Sequence, residues 1–154
     1  MPVPRPAPPA PEPRPADGGQ PPTRCPGCGS VLAPLPDQEP GGSAACGRLF
    51  EETTRGLREE AASDPRAAAT VALADDAYAA QHPDPDAPDR LRQALERLAA
   101  RFGTDGGTAA PRPPRVWQTT VADVAADLDV VDLPALVESW ARSVGEDWAR
   151  ATRT

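Results

Sequence analysis

Three cysteines and one histidine are the residues of this chain best suited to chemistry. Cys25 and Cys28 lie in a Cys-Pro-Gly-Cys-Gly segment, Cys46 follows 18 positions later, and His82, the only histidine, lies a further 36 positions on. A Cys-x2-Cys turn with glycines lets backbone amides point at two thiolates, as in a zinc knuckle. The four side chains make a complete Cys3His set for tetrahedral Zn²⁺, and thiolates with an imidazole favour zinc over Mg²⁺ or Ca²⁺.

Other interpretations of these residues stay open. A Cys-x-x-Cys pair can be a redox dithiol, but that use is typical of a helix that opens on the first cysteine, and here Pro34 and Pro36 follow closely. The cysteines can also bind no metal at all. His82 can be a helix-end histidine that is hydrogen-bonded to a carbonyl group rather than a ligand.

A polar cluster precedes the histidine on the same predicted helix. Asp75 and Tyr78 are three positions apart, and Tyr78 and His82 are four apart, so their side chains are neighbours on the helix surface. Asp76, Tyr78 and Gln81 are the candidate residues around the metal site, where a carboxylate would orient the imidazole or do acid–base work with it. The alternative is that the two acids face solvent and Tyr78 belongs to the core.

The composition argues against several classes of function. The net charge is −7, and the 16 basic side chains, all arginine, form no cluster, whereas a nucleic-acid surface needs several neighbouring cations. The chain has neither an apolar run long enough for a membrane span nor the apolar segment of a secretory signal. We therefore expect a cytoplasmic protein that binds no nucleic acid and no membrane, with a composition typical of a high-GC bacterial genome.

The distribution of proline divides the chain into an N-terminal segment and a folded domain. Ten of the 22 prolines lie in residues 1–24, with almost no large apolar side chains, and such a segment buries too little surface to offset its ordering entropy. We predict a disordered Pro-rich tail over 1–24 and one domain over 25–154. Turn-forming residues over 25–45 predict a knuckle followed by a loop, not a strand or helix of any length, and those over 104–115 predict an internal linker or loop.

Helix boundaries are predicted by prolines and capping residues. Asp64 followed by Pro65 is a carboxylate cap and a first-turn proline, so a helix is predicted to start there. Pro83 disfavours helical backbone before it, so that helix ends near Gln81 with His82 at its C-terminus. The same signals predict five helices: one from about Cys46 to before residue 63, then 64–81, 87–102 ending at Gly103, 121–128 behind the cap Thr120 with Asp123 as its partner, and a last one from about Asp132.

Apolar spacing predicts which helix faces are buried. In the last helix, large apolar side chains recur every three or four positions and predict a core-facing stripe: Leu133, Val137, Trp140, Val144 and Trp148. A partner-binding groove is the alternative for this face. The pattern as a whole predicts an all-α fold, a small helical domain of about five helices with an N-terminal zinc-knuckle-like Cys loop.

These motifs together resemble a bacterial family of small proteins of unknown function. Its members open with Cys-Pro-x-Cys-Gly, continue with Cys-x-x-x-Phe and Asp-Ala-Tyr-x-x-Gln-His-Pro, and finish with a Trp, Thr-Val-x-Asp-Val and a Trp-containing helix. This chain matches at residues 25–29, 46–50, 76–83, 117, 120–124 and 140–148. The resemblance covers about residues 25–150 and implies no established activity.

The resemblance also bears on catalysis. Family members often carry further histidines on the two middle helices, where this chain has Ala-Thr-Val at 69–71 and Arg-Gln-Ala at 92–94. The chain also lacks a phosphate loop, a dinucleotide fingerprint and a serine nucleophile elbow. These features favour a non-catalytic zinc-binding or accessory module, compatible with a protein partner and with no oligomeric state specified. The alternatives are a metal-dependent enzyme with an open zinc position and His82 or Asp76 as base, and a thiol redox or metal sensor.

Overall fold

The computed structural model describes residues 23–32, 42–104 and 110–154. This part of the chain contains five helices and two short strands, which confirms the predicted all-α class. No helix in it is long and apolar enough to cross a membrane. In chain order, the elements are β1 (Thr23–Arg24), β2 (Val31–Leu32), α1 (Gly42–Glu60), α2 (Pro65–Gln81), α3 (Pro88–Phe102), α4 (Val121–Asp127) and α5 (Leu133–Arg153).

Some predicted segments fall outside the described residues. They are residues 1–22 of the predicted tail, 33–41 of the loop before α1, and 105–109 of the predicted linker. The described remainder of that linker, 104 and 110–115, has neither helix nor strand, as predicted.

Most helices begin and end where local signals predict. The Asp64 carboxylate accepts a hydrogen bond from the Arg66 amide at 2.9 Å and caps α2. Gly103, with a φ of 66°, ends α3 in the left-handed conformation that glycine tolerates. At the start of α4 the Thr120 amide donates to the Asp123 carboxylate at 2.8 Å, which is one half of the predicted capping box.

Two predictions near the N-terminus are wrong. The first helix begins at Gly42 rather than near Cys46, because residues 42–45 contain no proline or β-branched side chain that would delay it. A short antiparallel ribbon joins Thr23–Arg24 to Val31–Leu32, where a disordered tail and a strand-free loop were expected. The Cys loop turns the chain back on itself, and strands of two residues are too short to show an alternating pattern.

The helix α2 lies at the centre of the fold, packed against α5, α3 and α1. Its buried face is mostly alanine, so the neighbouring helices approach closely. The opposite side of the core comes from α5, whose predicted stripe is confirmed as core. Its members Val137, Trp140, Val144 and Trp148 are each at most 5% exposed, and Leu133 packs against them half-buried.

Candidate metal centre

The Cys loop between β1 and β2 is closed by its own backbone. The Cys25 amide donates to the Ser30 carbonyl at 2.8 Å, and the Gly29 amide donates to the Cys25 carbonyl at 2.9 Å. Gly29 has a φ of 77°, a left-handed conformation that side chains disfavour. Cys25 and Cys28 are both buried in this turn.

Four metal-ligating side chains converge where this loop meets the helices. One ligand atom from each of Cys25, Cys28, Cys46 and His82 lies within 4.8 Å of the others. The Sγ atoms of Cys28 and Cys46 are 3.7 Å apart, and Nε2 of His82 lies 3.3 Å from Sγ of Cys46. At 3.7 Å the two sulfurs are not joined by a disulfide. The residues singled out by type and spacing therefore form one cluster.

The end of α2 aims His82 at this cluster. His82 is the C-cap of α2, and its backbone amide donates to the Tyr78 carbonyl at 2.9 Å. Ring atom Nδ1 lies 2.9 Å from the same carbonyl oxygen, so Nδ1 is the protonated nitrogen. This tautomer leaves the lone pair on Nε2 for a metal, which is how ligating histidines are usually held. The two sequence-based interpretations of His82, ligand and carbonyl-bonded histidine, are therefore compatible.

Tyr78 fixes the plane of the imidazole. The Tyr78 and His82 rings are stacked with centroids 4.0 Å apart, and Phe50 stacks on the other side of Tyr78 at 4.3 Å. Burial, reinforced by the nearby negative charge of the cysteines, raises the pKa of Tyr78, so its hydroxyl stays protonated. Tyr78 therefore contributes a rigid ring and a carbonyl acceptor to the site.

The carboxylate expected to orient the imidazole has a different partner. Asp76 makes two hydrogen bonds of 2.6 and 2.9 Å to Arg97 of α3. Its neighbour Asp75 pairs with Arg58 of α1 at 2.6 Å. Asp76 precedes His82 by six positions, which separates their directions by about 120° around a helix axis. In this structure Asp76 is paired with Arg97, and the acceptor beside Nδ1 of His82 is the Tyr78 carbonyl.

Gln81 ties the end of α2 to two distant parts of the chain. Its Nε2 donates to the Thr119 carbonyl at 2.6 Å, and its Oε1 accepts from Nε1 of Trp140 at 3.0 Å. Nε1 of Trp148 donates to the Ala80 carbonyl at 3.0 Å. Carbonyls in the last turn of a helix have no helical partner, so the Trp148 bond satisfies one of them, and all three bonds fix the end of α2 next to His82.

Gly27 allows the Cys loop to approach α2. A Cβ atom at this position would lie 2.7 Å from the Gln81 carbonyl oxygen and 2.7 Å from Cδ2 of His82. The Gly27 carbonyl accepts from Nε1 of Trp117 at 2.9 Å. The Cys-x2-Cys motif predicted only a turn at Gly27, and Trp117 entered the sequence-based prediction only through the family resemblance. The two residues are 90 positions apart in the sequence, so no local sequence pattern predicts their contact.

The clustered thiols polarise one another. The hydrogen bond between Cys28 and Cys46 outweighs burial and lowers the pKa of Cys28 to about 3. The same hydrogen bond, reinforced by burial, raises the pKa of Cys46. A cation in place of the proton between Cys28 and Cys46 would meet the sulfur donors of both residues.

The fold and the cluster together define a small all-α protein in which a Cys loop and two helices bring three cysteines and one histidine together. A family model described as a family of unknown function, DUF5946, matches residues 23–109 and 101–149. Because these matches span most of the chain, the chain belongs to that family. All four clustered residues lie within the first match. No curated protein and no solved structure matches the chain.

Proposed function

We propose that this protein binds one Zn²⁺ through Cys25, Cys28, Cys46 and His82, and that it works as a non-catalytic binding or accessory module held together by that metal. The convergence of the donors carries the proposal. They come from the Cys loop, α1 and the end of α2, yet their ligand atoms lie within 4.8 Å of one another.

The spacing of the donors suits tetrahedral zinc. With Zn–S bonds of about 2.3 Å and a Zn–N bond of about 2.0 Å, tetrahedral geometry separates two sulfurs by about 3.8 Å and a sulfur and a nitrogen by about 3.5 Å. The Cys28–Cys46 and Cys46–His82 separations are 3.7 and 3.3 Å. Thiolates and imidazole also prefer Zn²⁺ to the hard cations Mg²⁺ and Ca²⁺.

A fourth protein donor favours a structural site over a catalytic one. Catalytic zinc keeps one position for water or substrate, whereas structural zinc usually has four protein ligands. His82 can fill that fourth position, with its Nε2 beside Cys46 and its ring fixed by Tyr78. Asp76, the alternative base of an open-site enzyme, is occupied by Arg97.

The metal would attach the Cys loop and its ribbon to the helical body. The ribbon consists of two strands of two residues, and Val31 within it is more than half exposed, so apolar burial contributes little there. A site assembled only in the folded chain couples metal affinity to folding free energy. We expect chelation to release the Cys loop and to lower the melting temperature of the whole domain.

Metal analysis of the purified protein tests the proposal. The reduced wild-type chain, purified without chelators, should contain about one zinc per chain, as a four-ligand site requires. Cys28→Ser and His82→Ala should lose most of this zinc, since each removes one donor. Gln93→Ala, on the exposed side of α3, is the matched control and should keep the full zinc content.

The outcomes separate the proposal from its alternatives. Wild-type protein without zinc would contradict metal binding itself. A His82→Ala variant with wild-type zinc affinity and a normal fold would contradict the closed site and favour an open-site enzyme. Loss of zinc from both ligand variants, with full retention by Gln93→Ala, would support a closed structural site.

A further inference from the structure

In the part of the chain that the structure describes, exposed large apolar side chains lie near the two ends of α4. Among the described residues, the large apolar side chains that are exposed are Val31, Val116, Leu128, Val130 and Val131. The first two line a surface cavity of about 370 Å³ beside the Cys loop. The other three follow the last residue of α4. Single exposed apolar residues are ordinary, but groups of them mark interaction surfaces.

The surface at the Cys loop carries two arginines, although the whole chain carries −7. We call it the basic patch and define it by Arg24, Val31, Arg115 and Val116, which line the same cavity. Within the described residues, Arg115 makes no ion pair and Arg24 donates only to the Gly29 carbonyl. One carboxylate, Asp123, also lines the cavity and caps α4, so the arginines outnumber the carboxylates there by two to one.

The surface after α4 has the opposite charge. We call residues 127–132, Asp-Leu-Asp-Val-Val-Asp, the acidic turn. The Asp132 carboxylate caps α5 by accepting from the Ala135 amide at 3.2 Å. The carboxylates of Asp127 and Asp129 form no ion pair with any described residue. Both surfaces therefore combine exposed valines with unneutralised charge, and the charges are of opposite sign.

We propose that the basic patch of one copy of this chain binds the acidic turn of a second copy. Opposite charges beside apolar side chains are the complementarity that orients a protein interface. Thr120, the N-cap of α4, and Ala122, in its first turn, line the cavity of the basic patch, and the acidic turn begins at Asp127, the last residue of the helix. A helix of seven residues is about 10 Å long, so the two surfaces are neighbours on each copy.

This placement predicts a closed dimer. When two copies set α4 antiparallel to α4, each basic patch meets the acidic turn of the other copy, and both contacts form at once. Such an interface has two-fold symmetry and stops at two subunits. The exposed side chains of α4 itself are short, Asp123, Ala126 and Asp127, and in this arrangement Arg24 and Arg115 of the facing basic patches offset the charge of the aspartates.

Sedimentation velocity of the zinc-loaded full chain over a range of concentrations tests this proposal. The wild type should be a concentration-dependent dimer. Arg115→Glu and Asp129→Arg should each weaken dimerisation by at least about tenfold, because each places like charges opposite one another. Arg55→Glu and Asp86→Arg make the same changes at exposed positions on other surfaces and should leave dimerisation unchanged.

Mixing the two disruptive variants gives the sharpest result. In a mixed dimer, Glu at position 115 faces Arg at position 129, and the native Arg115 of the other copy faces the native Asp129. An equimolar mixture should therefore dimerise again, which misfolded variants would not do. A wild type that stays monomeric, a dimer unaffected by either charge reversal, no recovery on mixing, or growth beyond two subunits would each overturn the proposal.

Discussion

The two ends of α2 are held by different means. At the N-terminal end, Asp64 caps its own helix; further along α2, Asp75 pairs with Arg58 on a surface where both side chains are more than a third exposed. At the C-terminal end, Gln81 is fully buried, and its partners Thr119 and Trp140 lie 38 and 59 positions away. The position of the N-terminal end is therefore fixed by neighbouring residues, whereas the position of the C-terminal end is fixed by packing across the whole domain.

The two ends of α2 therefore have different roles: the N-terminal end affects the formation of the helix, and the C-terminal end affects the assembly of the metal site. The N-terminal cap determines where α2 starts, and exposed ion pairs add little to stability. The C-terminal contacts determine where His82 lies relative to the cysteines. Changes at the C-terminal end should therefore reduce both stability and zinc affinity, whereas changes at the N-terminal end should reduce stability alone.

The largest effect is expected for Trp140→Ala, which removes the large buried side chain that also donates to Gln81. Truncation of a core aromatic costs about 3–5 kcal/mol, and urea unfolding should show a loss of that size together with weaker zinc binding. Trp140→Phe, which keeps a ring but removes the donor, should lose less. Wild-type stability in Trp140→Ala would show that the α5 stripe is not core.

The next largest effect is expected for Gln81→Met, because this substitution keeps the length of the side chain and removes both of its hydrogen bonds. The Trp140 indole and the Thr119 carbonyl would lose their partner, and an unsatisfied buried polar group costs about 1–3 kcal/mol. We expect a stability loss of about 2–4 kcal/mol and weaker zinc binding in a competition titration with a chelator. Unchanged zinc affinity would show that Gln81 does not position His82.

Gly27→Ala and Gly56→Ala should shift stability in opposite directions. At Gly27 the new methyl group would meet the Gln81 carbonyl and His82 at 2.7 Å, and overpacking of this kind costs about 1–3 kcal/mol. At Gly56, inside α1, a Cβ atom has nothing within 4 Å, and alanine should add about 0.5–1 kcal/mol. Thermal unfolding of both variants measures the contrast, and only Gly27→Ala should weaken zinc binding.

Asp64→Ala should have the smallest effect of the four. Loss of a helix cap costs about 1 kcal/mol, and Asp64→Asn should keep most of the stability because its side chain still accepts the Arg66 amide. Zinc content should match the wild type in both variants. A loss of zinc from Asp64→Ala would contradict the separation between the two ends of α2.

Residue types and local signals predicted the chemistry and most helix boundaries. Three cysteines and one histidine offer a single Cys3His set, and their convergence agrees with that prediction, while their role as zinc ligands stays a prediction until metal is measured. Pro65, Pro83 and Gly103 set helix ends because they act on the backbone of adjacent residues. The ribbon at the Cys loop and the early start of α1 were missed, since neither produces a periodic pattern.

The sequence by itself therefore determined which residues can bind a metal and where most of the helices lie, because residue chemistry and capping act over a few positions. Tertiary structure alone decided that Nε2 of His82 meets Cys46, that Asp76 pairs with Arg97, and that Gly27 lies against Gln81. These contacts join residues 21 to 54 positions apart, as the residue numbers show. Such pairs depend on how the helices pack, and helix packing follows from the shape of the whole core.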